Sequence, residues 1–437
     1  MKKIGSIIIV LLLVISMVAA CGDGDAGKTG QSKDAVTITI TYATGDELTA
    51  ELIRARIVEF QALNEHVTII EKLSNEGAYL DAIRTLDAVG EFPDIVEMRD
   101  TPLFVRAGKL GELPADITSM FESTIAFDGK IYTAPLTETY PAGIIYNKKI
   151  FNNLGIDVTS IKTYNDFLNV CQKILDSGTA PLVVGGADIW HIGFWWSFFW
   201  HNNVSVATPD WLAKRYVDEV SFTDANVKAA MEGLTDLFNR GYVERGWAST
   251  AESMAPSILV TEQAAMYYIG PFVFQQIEEA DPNFEYGFFA LPNAQGQINV
   301  LGGTTPAGWA INSETQANDP AKTEAVYDFI RFFFEKDRYT DYVQQLRAVP
   351  SLKEPITYDA SEQFQEVLRI AATADNRQLN WNQHIGPNEL PPGFRNFCYS
   401  LTAEWFLGVS TIADGLVIID EEWANLTREF NPVLRPE

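Results

Sequence analysis

The hydrophobic pattern of residues 36–98 switches back and forth between a period of two and a period of 3.6, and this constrains the fold most. Val36 to Thr41 (VTITIT) alternates β-branched residues and predicts a strand. Leu48 to Leu63 carries Leu52, Ile53, Ile57 and Phe60 at helical spacing. A second strand follows at Val67 to Lys72, a helix at Ala78 to Val89 and a short strand at Asp94 to Met98. Such alternation predicts an α/β unit around a mainly parallel sheet. Ligands of such sheets meet the loops at the carboxyl ends of the strands.

The same signals recur downstream. Strands are predicted at Lys130–Thr133, Gly143–Tyr146, Pro181–Val184, Ala264–Ile269, Tyr286–Ala290 and Ala307–Ile311. Helices are predicted at Thr163–Asp176, Ala225–Arg240, Pro271–Glu279, Lys322–Phe334, Arg338–Leu346, Ser361–Ala371, Asn396–Phe406 and Thr411–Asn425. A chain of 437 residues is long enough for two or three domains. It shows no internal repeat and no Pro/Gly-rich linker between sequential halves. Lobes built from discontinuous segments fit that better than beads on a string; one large continuous domain is the alternative.

Thirty-two basic against 58 acidic side chains give a formal charge of −26, which repels phosphate backbones and argues against nucleic-acid binding. The N-terminus sets the compartment. Lys2 and Lys3 precede an apolar stretch from Ile7 to Val18, the length of a signal-peptide core rather than of a spanning helix. Val18-Ala19-Ala20-Cys21-Gly22 then resembles a bacterial lipoprotein processing site. By that resemblance residues 1–20 are a signal peptide, Cys21 carries lipid, and residues 21–35 form a flexible tether. The body is expected outside the cytoplasm, held to the membrane through that lipid alone. Cys171 and Cys398 are read as buried thiols, with a disulfide between them left open.

Several motifs in order resemble the extracellular solute-binding proteins of bacterial ABC transporters, in the sugar-binding family that includes maltose-binding protein. They are Phe92-Pro93-Asp94-Ile95-Val96, Asp128-Gly129-Lys130-Ile131-Tyr132-Thr133-Ala134-Pro135 and Gly143-Ile144-Ile145-Tyr146-Asn147-Lys148. Ala264 to Pro271, Gly302-Gly303 to Gly308-Trp309-Ala310-Ile311, and Arg347-Ala348-Val349-Pro350 complete the set. The resemblance spans nearly the whole body. It implies an α/β, two-lobed periplasmic-binding-protein-like fold with hinge crossings and a ligand cleft between the lobes. Crossings are expected near Glu138–Ala142, Gly302–Thr305 and Ala348–Ser351. The first lobe would then comprise residues 36–140 plus 303–347, and the second 141–302 plus 348–437. A carbohydrate ligand, permease subunits as partners, a monomeric state and no cofactor are also implied.

A pyranose presents an apolar face and a rim of hydroxyls, so its site needs aromatic platforms and planar hydrogen-bonding groups. Trp309, at the end of the Gly302–Gly308 crossing, is the first expected platform. Trp190 is the second, in a loop after the Pro181–Val184 strand, with Asp188 beside it as hydroxyl acceptor. Tyr268 and Gly270 lie where the family's cleft-facing strand ends, and Trp381 where it places another cleft residue. Glu138 at the first crossing, and Asp46 and Glu76 after the first two strands, are expected acceptors.

The rival readings are a glycoside hydrolase or other glycoside-binding surface lipoprotein, an adhesin, and the same fold holding a polyamine, peptide or anion. A hydrolase needs two carboxylates across one scissile bond, and no pair among the 58 acidic residues stands out. There is no Gly-x-Ser-x-Gly, His-Glu-x-x-His, Walker or dinucleotide motif. The four histidines show no metal-ligand spacing, so no metal is expected.

Overall fold

Ile38 and Ile40 of the first predicted strand are fully buried while Thr37 is exposed, the alternation expected of a strand with one face in the core. The computed structural model describes residues 34–44, 47–73, 79–381, 384 and 386–428. Cys21, Asp46, Glu76, the signal peptide and all but the end of the tether lie outside them.

Two sheets organise the body. The first has the order Val67–Glu71, Val36–Thr41, Ile95–Met98, Gly308–Asn312, Leu110–Gly111. Its first three strands are parallel, and Gly308–Asn312 runs against both its neighbours. The second has the order Tyr286–Phe289, Gly143–Asn147, Ala264–Ile269, Ala180–Val183. Here Gly143–Asn147 is the reversed strand, and Ala264–Ile269 pairs with Ala180–Val183 in parallel.

The reversed strands have a common cause. Each is the first strand the chain forms after crossing from the other lobe. It therefore starts at the cleft, where its neighbours end. The expectation of mainly parallel sheets holds except at these two entries.

Local chemistry explains the family-like run after the first crossing. The Gly143–Asn147 strand ends at Asn147, whose side chain accepts from the Ile150 N–H and caps the Lys148–Leu154 helix. Gly155 closes that helix in the left-handed region at φ 59°, with Ile156 N–H bonding back to the Phe151 carbonyl. Thr163 and Asp166 form a reciprocal capping box at the next helix, Tyr164–Asp176, contributing about 1 kcal/mol.

The crossings lie side by side. Glu138–Thr139 pairs antiparallel with Gly303–Thr304, and Glu138 N–H donates to the Val349 carbonyl at 2.9 Å. Gly308 lies so close to the first crossing's approach that an added Cβ would sit 2.0 Å from the Ala134 carbonyl oxygen. The third crossing continues past Ser351 along the first lobe. Ser351 Oγ donates to the Pro135 carbonyl at 2.6 Å, and Lys353 N–H to the Met120 carbonyl at 2.8 Å.

Aromatic residues divide the cores. Phe60, Trp309, Phe329 and Phe333 fill the first lobe. Trp195, Trp196, Trp200, Trp211, Trp381 and Trp423 fill the second. Cys171 and Cys398 are buried and both free, so the second core contains thiols and not a disulfide. No helix among the described residues is long and apolar enough to cross a membrane.

Candidate functional site

The carboxyl ends of the first-lobe strands and the base of the crossings enclose a cavity of about 260 Å³, lined by Thr49, Glu97, Arg99, Thr137, Tyr140 and Thr305 among others. Glu97 and Arg99 are its charged groups. Both lie at the end of the Ile95–Met98 strand, Glu97 inside it and Arg99 just after. Arg99 Nη2 is 2.7 Å from Glu97 Oε1, and Glu97 Oε2 accepts from the Ala43 N–H at 2.8 Å. The Glu97 side chain is 6% exposed and that of Arg99 46%, so a balanced, held pair presents its guanidinium to the opening. The Arg99 guanidinium also lies 5.6 Å from the centre of the Tyr79 ring, whose hydroxyl donates to the Glu97 carbonyl.

The loops after the Ala180–Val183 and Ala264–Ile269 strands of the second sheet carry exposed aromatic rings. Trp190 is 39% exposed and Phe272 46%, whereas the other nine tryptophans are buried. Phe194 lies between them, its ring centre 6.0 Å from that of Trp190 and 6.2 Å from that of Phe272. These rings stand at the ends of the Ala180–Val183 and Ala264–Ile269 strands. Gly270 has an ordinary φ of −78°, and a Cβ there would come within 2.7 Å of the Phe272 ring. The glycine thus serves to let Phe272 fold back over the strand end.

Behind the rings, the backbone of Gly185 abuts Glu252 so closely that a Cβ would lie 2.8 Å from its Cα. That contact brings Asp188 and Glu252 together. Asp188 Oδ2 accepts from the Glu252 N–H at 2.7 Å, and Tyr267 OH donates to Glu252 Oε1 at 3.4 Å. Burial first, and the Asp188 charge after it, raise the Glu252 carboxyl above the usual range.

The expected residues are distributed unevenly over this geometry. Trp190 is exposed in the loop after the Ala180–Val183 strand, and Asp188 beside it is already an acceptor for backbone. Trp309 does not face the cleft: it is fully buried, with Phe329 and Phe333 edge-on at 5.8 and 5.7 Å. The neighbouring residues of the Gly308–Asn312 strand are buried on both of its faces as well. Tyr268 is likewise buried, 4.5 Å from the Trp195 ring and 5.7 Å from that of Phe198. Trp381 lies within the second core between Trp196 and Trp200, its backbone N–H donating to Ser197 Oγ. Glu138 sits at the crossing but is engaged there. Its Oε2 meets Arg377 Nη1 at 2.6 Å, and Thr304 Oγ1 donates to its Oε1 at 3.3 Å. Burial outweighs these partners and raises its carboxyl pKa.

Glu97, Arg99, Glu252 and Phe272 were missed by sequence reasoning. Glu97 and Arg99 follow from the predicted third strand, whose carboxyl end must face a ligand. Phe272 immediately follows Gly270-Pro271. Glu252 gives no comparable signal, since only the tertiary contact with Gly185 brings it to the site.

A model of the family described as bacterial extracellular solute-binding proteins matches residues 43–338. The chain is 22% identical over 397 residues to the multiple sugar-binding protein of Streptococcus mutans, covering 88% of this chain and 90% of that one. It is 24% identical over 311 residues to an uncharacterized ABC transporter extracellular-binding protein of Pyrococcus horikoshii, covering 67% and 69%. Among solved structures, apo RafE from Streptococcus pneumoniae is similar with a TM-score of 0.74 at 18% identity, over 90% of this chain and 98% of that one. A chitin oligosaccharide binding protein gives 0.68 at 20% identity, over 91% and 100%.

Proposed function

The chain belongs to the bacterial extracellular solute-binding proteins, and from that premise we propose that it captures an oligosaccharide between its lobes and delivers it to the permease of an ABC importer. The observation that carries the reading is the exposed pair Trp190 and Phe272 at the strand ends of the second lobe. Exposed aromatic faces there suit the apolar face of a pyranose. The held Glu97–Arg99 pair of the first lobe supplies the planar donors and acceptors that a hydroxyl rim requires. The names of the similar proteins, a multiple sugar-binding protein and RafE in complex with raffinose, point the same way.

Binding, hinge closure and release constitute the mechanism, with no covalent step. The lobes are proposed as residues 36–140 plus 303–347 and 141–302 plus 348–437, with the third crossing reaching Lys353. Lipid on Cys21, a flexible tether and a monomeric body complete the proposal.

The test is a panel of mono- and oligosaccharides scanned by thermal shift and tryptophan fluorescence. One oligosaccharide that raises the midpoint saturably and is recovered unchanged supports the reading. A polyamine, peptide or anion that shifts the midpoint while every sugar is silent would overturn the sugar assignment and leave the fold intact. Hydrolysis of the bound sugar would favour the glycosidase instead.

A further inference from the structure

A second cavity, of about 510 Å³, lies on the other face of the hinge ribbon. Thr137 and Thr305 line the first cavity, whereas Glu138, next in the chain to Thr137, lines this one. Val349, Leu352 and Ile356 of the third crossing form one wall. Leu368 and Ala371 of the Glu362–Thr373 helix form the other. The floor is the Glu138–Arg377 ion pair, with a Glu138 side chain only 2% exposed.

An apolar chamber of this size with a few convergent polar groups has the form of a small-molecule site. The polar groups define the head of its occupant. Arg377 gives Nη1 to Glu138, and its side chain remains 29% exposed, leaving further N–H donors for an acceptor. Glu122 also lines the chamber, and its charge adds to that of Glu138. Arg369 at the same wall is committed to Glu366 at 2.5 Å. The two carboxylates outweigh the one remaining guanidinium, which disfavours an anion. The donors of Arg377, and the cost of stripping water from an ammonium, disfavour a cation.

We propose that this chamber binds a compact, neutral, largely apolar molecule bearing one hydrogen-bond acceptor. The occupant would touch both the crossing and the second-lobe helix, so its binding and the hinge angle are linked. The site stands whatever the cleft holds.

The probes are adamantan-1-ol, adamantane-1-carboxylate and adamantan-1-amine, which share one body and differ in head charge. Calorimetry on the sugar-free protein should show adamantan-1-ol binding about tenfold tighter than either charged analogue, a difference of about 1.4 kcal/mol. Small-angle scattering should show a changed radius of gyration on its addition. Ala372→Phe, at the exposed rim, should abolish both effects and leave the melting temperature of the free protein unchanged. Equal binding of all three heads, binding that survives Ala372→Phe, or an unchanged radius would each overturn the proposal. Displacement of adamantan-1-ol by a cleft sugar in simple competition would also overturn it. A protein that binds adamantan-1-ol in this way and no sugar at all would refute the function proposed above while upholding this site.

Discussion

Replacing Trp309 by alanine separates the core packing seen for this residue from the platform role expected of it. The indole is fully buried, and its edge-to-face contacts with Phe329 and Phe333 tie the Gly308–Asn312 strand to the Pro320–Phe333 helix. Truncating such a ring removes its burial and leaves a cavity, at a cost of about 3–5 kcal/mol. In a lobe of 150–250 residues that lowers the unfolding midpoint by about 6–20 °C. Its Nε1 has no hydrogen-bond partner, so Trp309→Phe should cost less, because no polar contact is lost with the ring. Thermal melts followed by circular dichroism give the stability. Titration of the folded variant well below its midpoint gives the affinity. The expected outcome is a large stability loss with sugar affinity within about twofold of wild type. A variant of normal stability that no longer binds sugar would refute the burial argument and restore Trp309 to the cleft.

Trp190→Ala and Phe272→Ala should do the reverse, because their rings are already 39% and 46% exposed. Each should weaken sugar binding by about 1–2 kcal/mol in calorimetry, with melting temperature unchanged; an unaltered Kd for both would remove the aromatic platform. Gly308→Ala should cost well over 1 kcal/mol, since its Cβ would meet the Ala134 carbonyl oxygen at 2.0 Å, and a normal melt would contradict that contact. His191 and His201 are buried, which lowers the pKa of each to about 4. Their folded values lie below the unfolded value of about 6.5, so the stability tied to the neutral rings is full above pH ~6.5. It is lost as pH falls from there towards 4, by about 3 kcal/mol for each histidine. Urea melts of His201→Gln at pH 7 and pH 4.5 should show a smaller pH effect than wild type, and an identical pH effect would exclude His201.

The sequence alone determined the elements and the class of fold. The Val36–Thr41 and Ala264–Ile269 strands have the predicted limits, because hydrophobic period and β-branching act within a few residues. The Asn147 cap and the Gly155 helix end are likewise set by residues within a turn of each. The exposure of Trp190 also follows from its place in a loop beyond a strand's carboxyl end.

Only tertiary structure decided which of the remaining aromatic residues are core. Both faces of the Gly308–Asn312 and Ala264–Ile269 strands are buried throughout. Alternation then carries no information about which side chain faces a ligand, and Trp309 and Tyr268 fell on the packed side. Trp381 shows the same limit in a loop, where its neighbours Trp196 and Trp200 come from a helix about 180 residues earlier. Glu252 was beyond reach for a related reason. It meets Asp188 across 64 positions of chain, through a backbone contact at Gly185 that no local pattern encodes.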